Sequence, residues 1–123
     1  MTVVVKSFSF RRGVPTDADM LFDVRFLKNP FYDPTLKTST GLDKAAGQYI
    51  ERDPAFSAFF QHLQGVLTAM LPRYLKEVKT PLTIGIGCTG GQHRSVYLAQ
   101  TLGAWLQSAQ YHVTIIHRDL EQQ

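Results

Sequence analysis

The chain has one cysteine, Cys88, in 123 residues, so no internal disulfide can form. A reducing, cytoplasmic setting is therefore expected. No apolar run approaches the roughly 18 residues of a membrane-spanning helix, so no membrane partner is expected. The opening Met1-Thr2-Val3-Val4-Val5-Lys6 lacks the length and basic lead of a signal peptide and reads as a first strand. There is no internal repeat, low-complexity tract or linker. The thirteen Lys and Arg residues are scattered, and the longest basic run is Arg11-Arg12, so the chain has no polybasic arm. The four histidines and single cysteine show no ligand spacing, so neither a metal site nor a cofactor is expected.

What is present is ordinary for a globular domain. The chain is 44% hydrophobic and 19% charged, with a net charge of +3. Its length suits one domain over residues 1–123, able to bury roughly two-thirds of its unfolded surface. The mild basic bias permits phosphate or nucleic-acid partners without requiring them.

Hydrophobic periodicity supplies the element order. Residues 2–8 alternate and are rich in β-branched side chains, which predicts a strand. Gly13, Pro15, Asp17 and Asp19 predict a loop, and residues 20–27 a second strand. Asn29-Pro30 and Asp33-Pro34 impose an extended loop. Thr40 or Asp43 caps a short helix to about Arg52. Asp53-Pro54 then opens a longer one. Phe56, Phe59, Phe60, Leu63, Leu67, Met70, Leu71, Tyr74 and Val78 recur at helical steps as one buried face, which Pro72 should kink or shorten. Residues 82–87 read as a buried strand and 92–109 as a helix with Val96, Ala99, Leu102 and Leu106 inward. The last strand is 111–117. The order β, β, α, α, β, α, β predicts a three-layer α/β domain, its partly parallel sheet flanked by helices, with ligands beyond the strands' C-terminal ends.

The sharpest local feature is Gly87-Cys88-Thr89-Gly90-Gly91-Gln92-His93-Arg94-Ser95, at a strand-to-helix turn. The glycines at 85, 87, 90 and 91 should let the backbone turn tightly, and the following helix offers unpaired N–H groups and a positive dipole end. Thr89 and Ser95 add hydroxyls. His93 and Arg94 add donors, and an arginine can grip a phosphate with two parallel bonds. The segment thus reads as an anion site.

Two motifs overlap it, and a third is absent. Gly85-x-Gly87-x-x-Gly90 matches a dinucleotide fingerprint, but the region around Gln110 lacks the expected acid. No Walker A loop occurs, which argues against nucleoside triphosphate hydrolysis. Cys88-x5-Arg94-Ser95 has the spacing of a cysteine phosphatase loop, with Cys88 as nucleophile and Arg94 as oxyanion holder. That alternative also needs a facing general acid, for which Asp17, Asp19 and Asp33 are candidates by loop position. Asp23 and Arg25 lie on one side of the second strand, either as an ion pair or with Asp23 reading a sugar amine or hydroxyl. His117 and Arg118 end the last strand.

Ser7-Phe8-Ser9-Phe10, Gly13-Val14-Pro15, Asp17-Ala18-Asp19, Phe22-Asp23-Val24-Arg25-Phe26-Leu27, Asn29-Pro30, Asp33-Pro34, Thr40-Gly41-Leu42-Asp43, Ile86 to Ser95 and His117-Arg118 occur in that order. Over about residues 3–120 the chain resembles the C-terminal domain of the RapZ family of RNase adapter proteins. The resemblance implies binding of the amino-sugar phosphate glucosamine-6-phosphate, binding of small regulatory RNA, and recruitment of an endoribonuclease. It also implies a separate nucleotide-binding domain, absent from this chain, and assembly into homo-oligomers. Carried onto this sequence, it makes Cys88, Thr89, Gly90, Gly91, His93, Arg94 and Ser95 the phosphate loop. Ser7, Asp23, Arg25 and His117 become sugar-binding candidates.

Overall fold

A computed structural model describes residues 2–77 and 81–121. Strand β1 (Thr2–Ser9) leads through a 3-10 turn, Phe10–Arg12, to β2 (Met20–Asp23). A second 3-10 turn, Pro30–Tyr32, precedes helices α1 (Lys44–Glu51) and α2 (Pro54–Glu77). Strand β3 (Leu82–Cys88), helix α3 (Arg94–Ser108) and strand β4 (His112–His117) complete the chain. Asp53 caps α2 by accepting from Ala55 N at 3.0 Å, and its second oxygen accepts from Lys28 N at 2.9 Å.

All the strand pairings are parallel, and the sheet order is β2-β3-β1-β4. Val3, Val5 and Ser7 lie in register with Leu82, Ile84 and Ile86, and with Val113, Ile115 and His117 on the other side. Paired residues share a face. On this face the strands form one core with Ile50 of α1, Phe56, Leu63, Leu67 and Leu71 of α2, and Leu98, Leu102 and Leu106 of α3.

The other face is covered by the β1–β2 crossover rather than by a helix. Phe8, Leu21 and Ala18 crowd the Cα of Gly85, and Phe8 and Phe10 crowd that of Gly87. Those two glycines therefore make room for aromatic rings against a flat strand; they take no part in the ligand turn. Right-handed crossovers explain the arrangement. The connections β2 to β3 and β3 to β4 run one way along the sheet, and β1 to β2 runs back. The chain thus forms three layers: helices, parallel sheet and crossover loop.

Several expected boundaries move. Strand β2 stops at Asp23 because the Asp23 carboxylate accepts from Arg25 N at 2.9 Å, which turns the chain. Helix α3 starts at Arg94, two residues later than expected. Helix α2 runs on through the exposed Pro72 to Glu77 and is not cut short there. Met70, expected inward, is 38% exposed, while Leu75 takes a buried place at 5%. Val78 lies outside the described residues. No helix among the described residues is long and apolar enough to cross a membrane.

Leu67 is fully buried in the core. Leu67→Ala should lower stability by about 2–5 kcal/mol in urea unfolding. Met70→Ala should cost about 1 kcal/mol or less. A large loss for Met70→Ala would contradict this assignment of the two helix faces.

Candidate functional site

The chain leaves β1 toward one side of the sheet and β3 toward the other. The crevice between their C-terminal ends is therefore a topological switch point, where ligands bind in open parallel sheets. Ser9 and Cys88 end these two strands in register. Ser9 Oγ donates to Thr89 O at 2.7 Å, and Ser9 N donates to the buried carboxylate of Asp119 at 2.7 Å. Burial pushes the Asp119 carboxyl up, but hydrogen bonds from Arg118 and Ser9 outweigh it and hold its pKa below the ordinary range. Three strand exits are thereby joined.

A cavity of about 800 Å³ opens at this end, lined by Arg11, Arg25, the 29–32 turn, residues 37–40, much of the Cys88–Arg94 loop, and Glu121. Gly91 adopts φ +71°, and a side chain there would press on Ser9 and Asp119, so the turn requires glycine. Among the described residues, the main-chain N–H groups of residues 89–93 have no acceptor. Gln92 braces the loop, its Nε2 donating to Asp119 O at 2.8 Å and to Gly90 O at 3.1 Å.

Arg94 is 5% exposed. Its Nη1 donates to Arg25 O at 2.6 Å and Leu27 O at 3.0 Å. Nη2 makes only a 3.4 Å contact with Thr89 Oγ1, and the buried Nε has no acceptor among the described residues. Nε and Nη2 share one edge of the guanidinium, the edge that grips a phosphate or carboxylate side-on. Arg94 thus does two jobs. One nitrogen holds the β2 exit, and the other two are available to an anion.

His93 is buried, with Nε2 3.1 Å from Leu36 O. Burial lowers its pKa, against hydrogen bonds to the main chain of Leu36 and Ser39 that raise it. A neutral ring donating from Nε2 pins the 36–39 segment as a cavity wall. Cys88 is buried, and its thiol donates to Ser95 Oγ at 3.1 Å.

Of the remaining candidates only Arg25 reaches the cavity. Asp23 and Arg25 form a bidentate pair, Nη2 to Oδ2 at 2.6 Å, with Arg25 stacked on Phe10 at 3.9 Å. Arg25 lines the cavity, and Asp23 does not. Ser7 is fully buried, its Oγ 2.7 Å from His117 Nδ1, and His117 Nε2 lies 2.9 Å from Gln100 Oε1. Ser7 and His117 face α3 rather than the cavity. None of Asp17, Asp19 and Asp33 lines the cavity. Asp17 pairs with Lys6 at 2.8 Å, Asp19 accepts from Thr83 N, and Asp33 accepts from Thr35. Among the described residues no group of three or more His, Cys, Asp or Glu side chains could hold a metal ion.

Sequence reading gave no site role to Ser9, Arg11, Gln92, Lys37, Ser39 or Asp119, although Ser9 and Gln92 lie within the segments Ser7–Phe10 and Gly87–Ser95, Arg11 belongs to the longest basic run, and Asp119 follows His117-Arg118.

The model of the RapZ C-terminal domain family matches residues 1–121. The chain belongs to that family. It is 53% identical over 119 residues to a nucleotide-binding protein of Rhodospirillum centenum, covering 97% of this chain and 36% of that one. A nucleotide-binding protein of Rhodospirillum rubrum is 48% identical over 122 residues, 99% of this chain and 38% of its own. One from Limosilactobacillus reuteri is 53% identical over 119 residues, 97% of this chain and 41% of its own. The chain therefore spans about two-fifths of the length of these relatives.

Buried His93 and half-buried His117 make stability depend on pH in this RapZ-family domain. Below the ordinary imidazole pKa of about 6.5 the unfolded chain takes up protons that folded His93 and His117 resist. Their contribution is complete above that pH and is lost as the pH falls through the lowered folded values. His93→Gln keeps a donor for Leu36 O but cannot titrate. Urea unfolding at pH 7.5, 6.5 and 5.5 should show a shallower acid loss in His93→Gln, with the remaining slope carried by His117. An unchanged slope would mean that His93 is not the buried neutral donor described.

Proposed function

We propose that this domain senses a phosphorylated amino sugar of the glucosamine-6-phosphate type. The phosphate would rest on the main-chain N–H groups of Thr89, Gly90 and Gly91 and on the Nε–Nη2 edge of Arg94. The observation that carries this reading is that edge: a buried cation with no carboxylate partner, on the wall of a cavity, beside a run of N–H groups without acceptors. An anion supplies what both groups lack.

Family membership supports a RapZ-like role. Within it, binding of small regulatory RNA and recruitment of an endoribonuclease are the adapter functions we propose for this domain. Arg11, Arg12 and Lys37 provide a modest basic rim for such contacts. The chain has no Walker A loop, so we assign nucleoside triphosphate chemistry to the part of the relatives that lies beyond it.

The phosphatase spacing of Cys88 and Arg94 is the second reading. It is favoured by Cys88 lining the cavity, but the three loop acids are engaged away from it.

Calorimetric titration of the domain with glucosamine-6-phosphate, with glucosamine and glucose-6-phosphate as controls, tests the sensor. Saturable, selective binding without phosphate release is expected. Arg94→Lys, checked for folding by circular dichroism, should weaken it about tenfold or more, because an ammonium cannot form the two parallel bonds. Cys88→Ser should leave binding intact. Phosphate release lost in Cys88→Ser would replace the sensor with the phosphatase.

A further inference from the structure

The phosphate loop occupies only one end of the cavity. At about 800 Å³ the space lies high in the roughly 300–1,000 Å³ range of sites for drug-sized ligands, and a lone hexose phosphate would leave much of it to water. The other wall is aromatic. Phe31 and Tyr32 both line the cavity, 47% and 80% exposed, with their rings edge-to-face at 5.8 Å. Lys37 Nζ sits 4.9 Å above the Phe31 ring, so Lys37 covers one ring face and Phe31 buttresses Tyr32. The Tyr32 ring is left as the open stacking surface. This turn is fixed in place: Asn29 accepts from Phe31 N at 3.1 Å, and Pro30 is buried. An exposed tyrosine on a braced turn loses little entropy when a flat group stacks on it.

The charge on the walls also exceeds what one phosphate needs. Arg25 is neutralised by Asp23, and the one lining carboxylate, Glu121, lies 3.7 Å from Arg12. Arg11, Lys37 and Arg94 line the cavity with no carboxylate partner among the described residues. Three such cations suit a diphosphate better than a monophosphate.

From the cavity's size, its charge and its aromatic wall, we infer that the site takes a nucleoside diphosphate sugar, with the base stacked on Tyr32 and the diphosphate reaching from Lys37 and Arg11 to the Cys88–Arg94 loop. The inference rests on the phosphate-loop reading above and extends it to a second subsite. That subsite is distinct from a Walker loop, which this chain lacks.

The test is calorimetry on the whole 123-residue chain with a matched pair of ligands, UDP-N-acetylglucosamine and N-acetylglucosamine-1-phosphate, with inorganic phosphate as reference. Base–aromatic stacking predicts that the nucleotide sugar binds roughly 5- to 100-fold tighter than its sugar phosphate. Tyr32→Ala should cut that margin severalfold, leaving only what the second phosphate adds, and leave inorganic phosphate binding unchanged, and Tyr32→Trp should keep the margin. Equal affinity within the pair, or a margin undiminished by Tyr32→Ala, would overturn the base subsite while leaving the sugar-phosphate sensor standing. Failure of inorganic phosphate and both sugar ligands to bind would overturn the phosphate loop, and the base subsite with it.

Discussion

Arg94 carries a full charge into a nearly dry place, and the site is assembled around the way that charge is accommodated. Two carbonyls from the β2 exit accept from Nη1. They are in position because β2 ends early, where Asp23 captures Arg25 N and bends the chain. Hydrogen bonds from the Arg25 side chain hold the Asp23 carboxyl below its ordinary range, against a desolvation that raises it, and the nearby Arg94 charge adds to the effect. The dependence therefore runs from Asp23 to the turn, from the turn to the carbonyls, and from the carbonyls to the first residue of α3. Neutral carbonyls orient a guanidinium but do not cancel its charge. A buried cation solvated only in this way remains a strong attractor for an anion.

Topology decides where that attraction acts. With the order β2-β3-β1-β4 and right-handed crossovers, the helical connections use one face and the β1–β2 loop uses the other. The connections that leave the two central strands run in opposite directions from their C-terminal ends, and loops from all four strands meet there. Ser9, Asp119 and Gln92 then connect those loops by short hydrogen bonds, two of them to the main chain of the Cys88–Arg94 loop. The cavity is therefore shaped before any ligand arrives, as sites for small ligands usually are.

This origin explains which parts were legible in the sequence. The helices and strands announce themselves by period, because each buries one face. The Cys88–Arg94 loop was legible because its parts are contiguous: the strand, the glycines and the helix start occur within ten residues. The wall made by Lys37, Ser39 and the 29–32 turn was not legible. It is held from a distance, by His93 on Leu36 O and by Gly41 N on Gln92 O at 2.7 Å. Ser7 and His117 show the opposite failure. Both were expected to read the sugar, Ser7 from the resemblance and His117 also from its place at a strand end, but alternation and register put their side chains beneath α3 as a mutually bonded pair. Strand-end position is visible in a sequence; which face a residue takes depends on register, which is set by partners far along the chain. Gly85 and Gly87 were assigned to the turn for the same reason. Their neighbours Phe8 and Phe10 come from β1 and the turn that follows it, far away in sequence.

The same geometry bears on whether the loop holds a phosphate or attacks one. A cysteine phosphatase needs a thiolate, an arginine free to follow the phosphoryl group, and an acid for the leaving oxygen. Here the thiol is buried and donates to Ser95 Oγ, an arrangement that uses the proton a nucleophile would have to lose. Half of the Arg94 fork is tied to the main chain, which fixes it in place. The acidic side chain on the wall, Glu121, is engaged by Arg12 at 3.7 Å rather than left to face a leaving oxygen. Each of these features costs a catalyst and suits a receptor, for which a fixed arginine and an inert thiol preserve an intact ligand. Selection for binding without turnover would leave just such a loop, with the spacing of a phosphatase and the hydrogen bonds of a clamp.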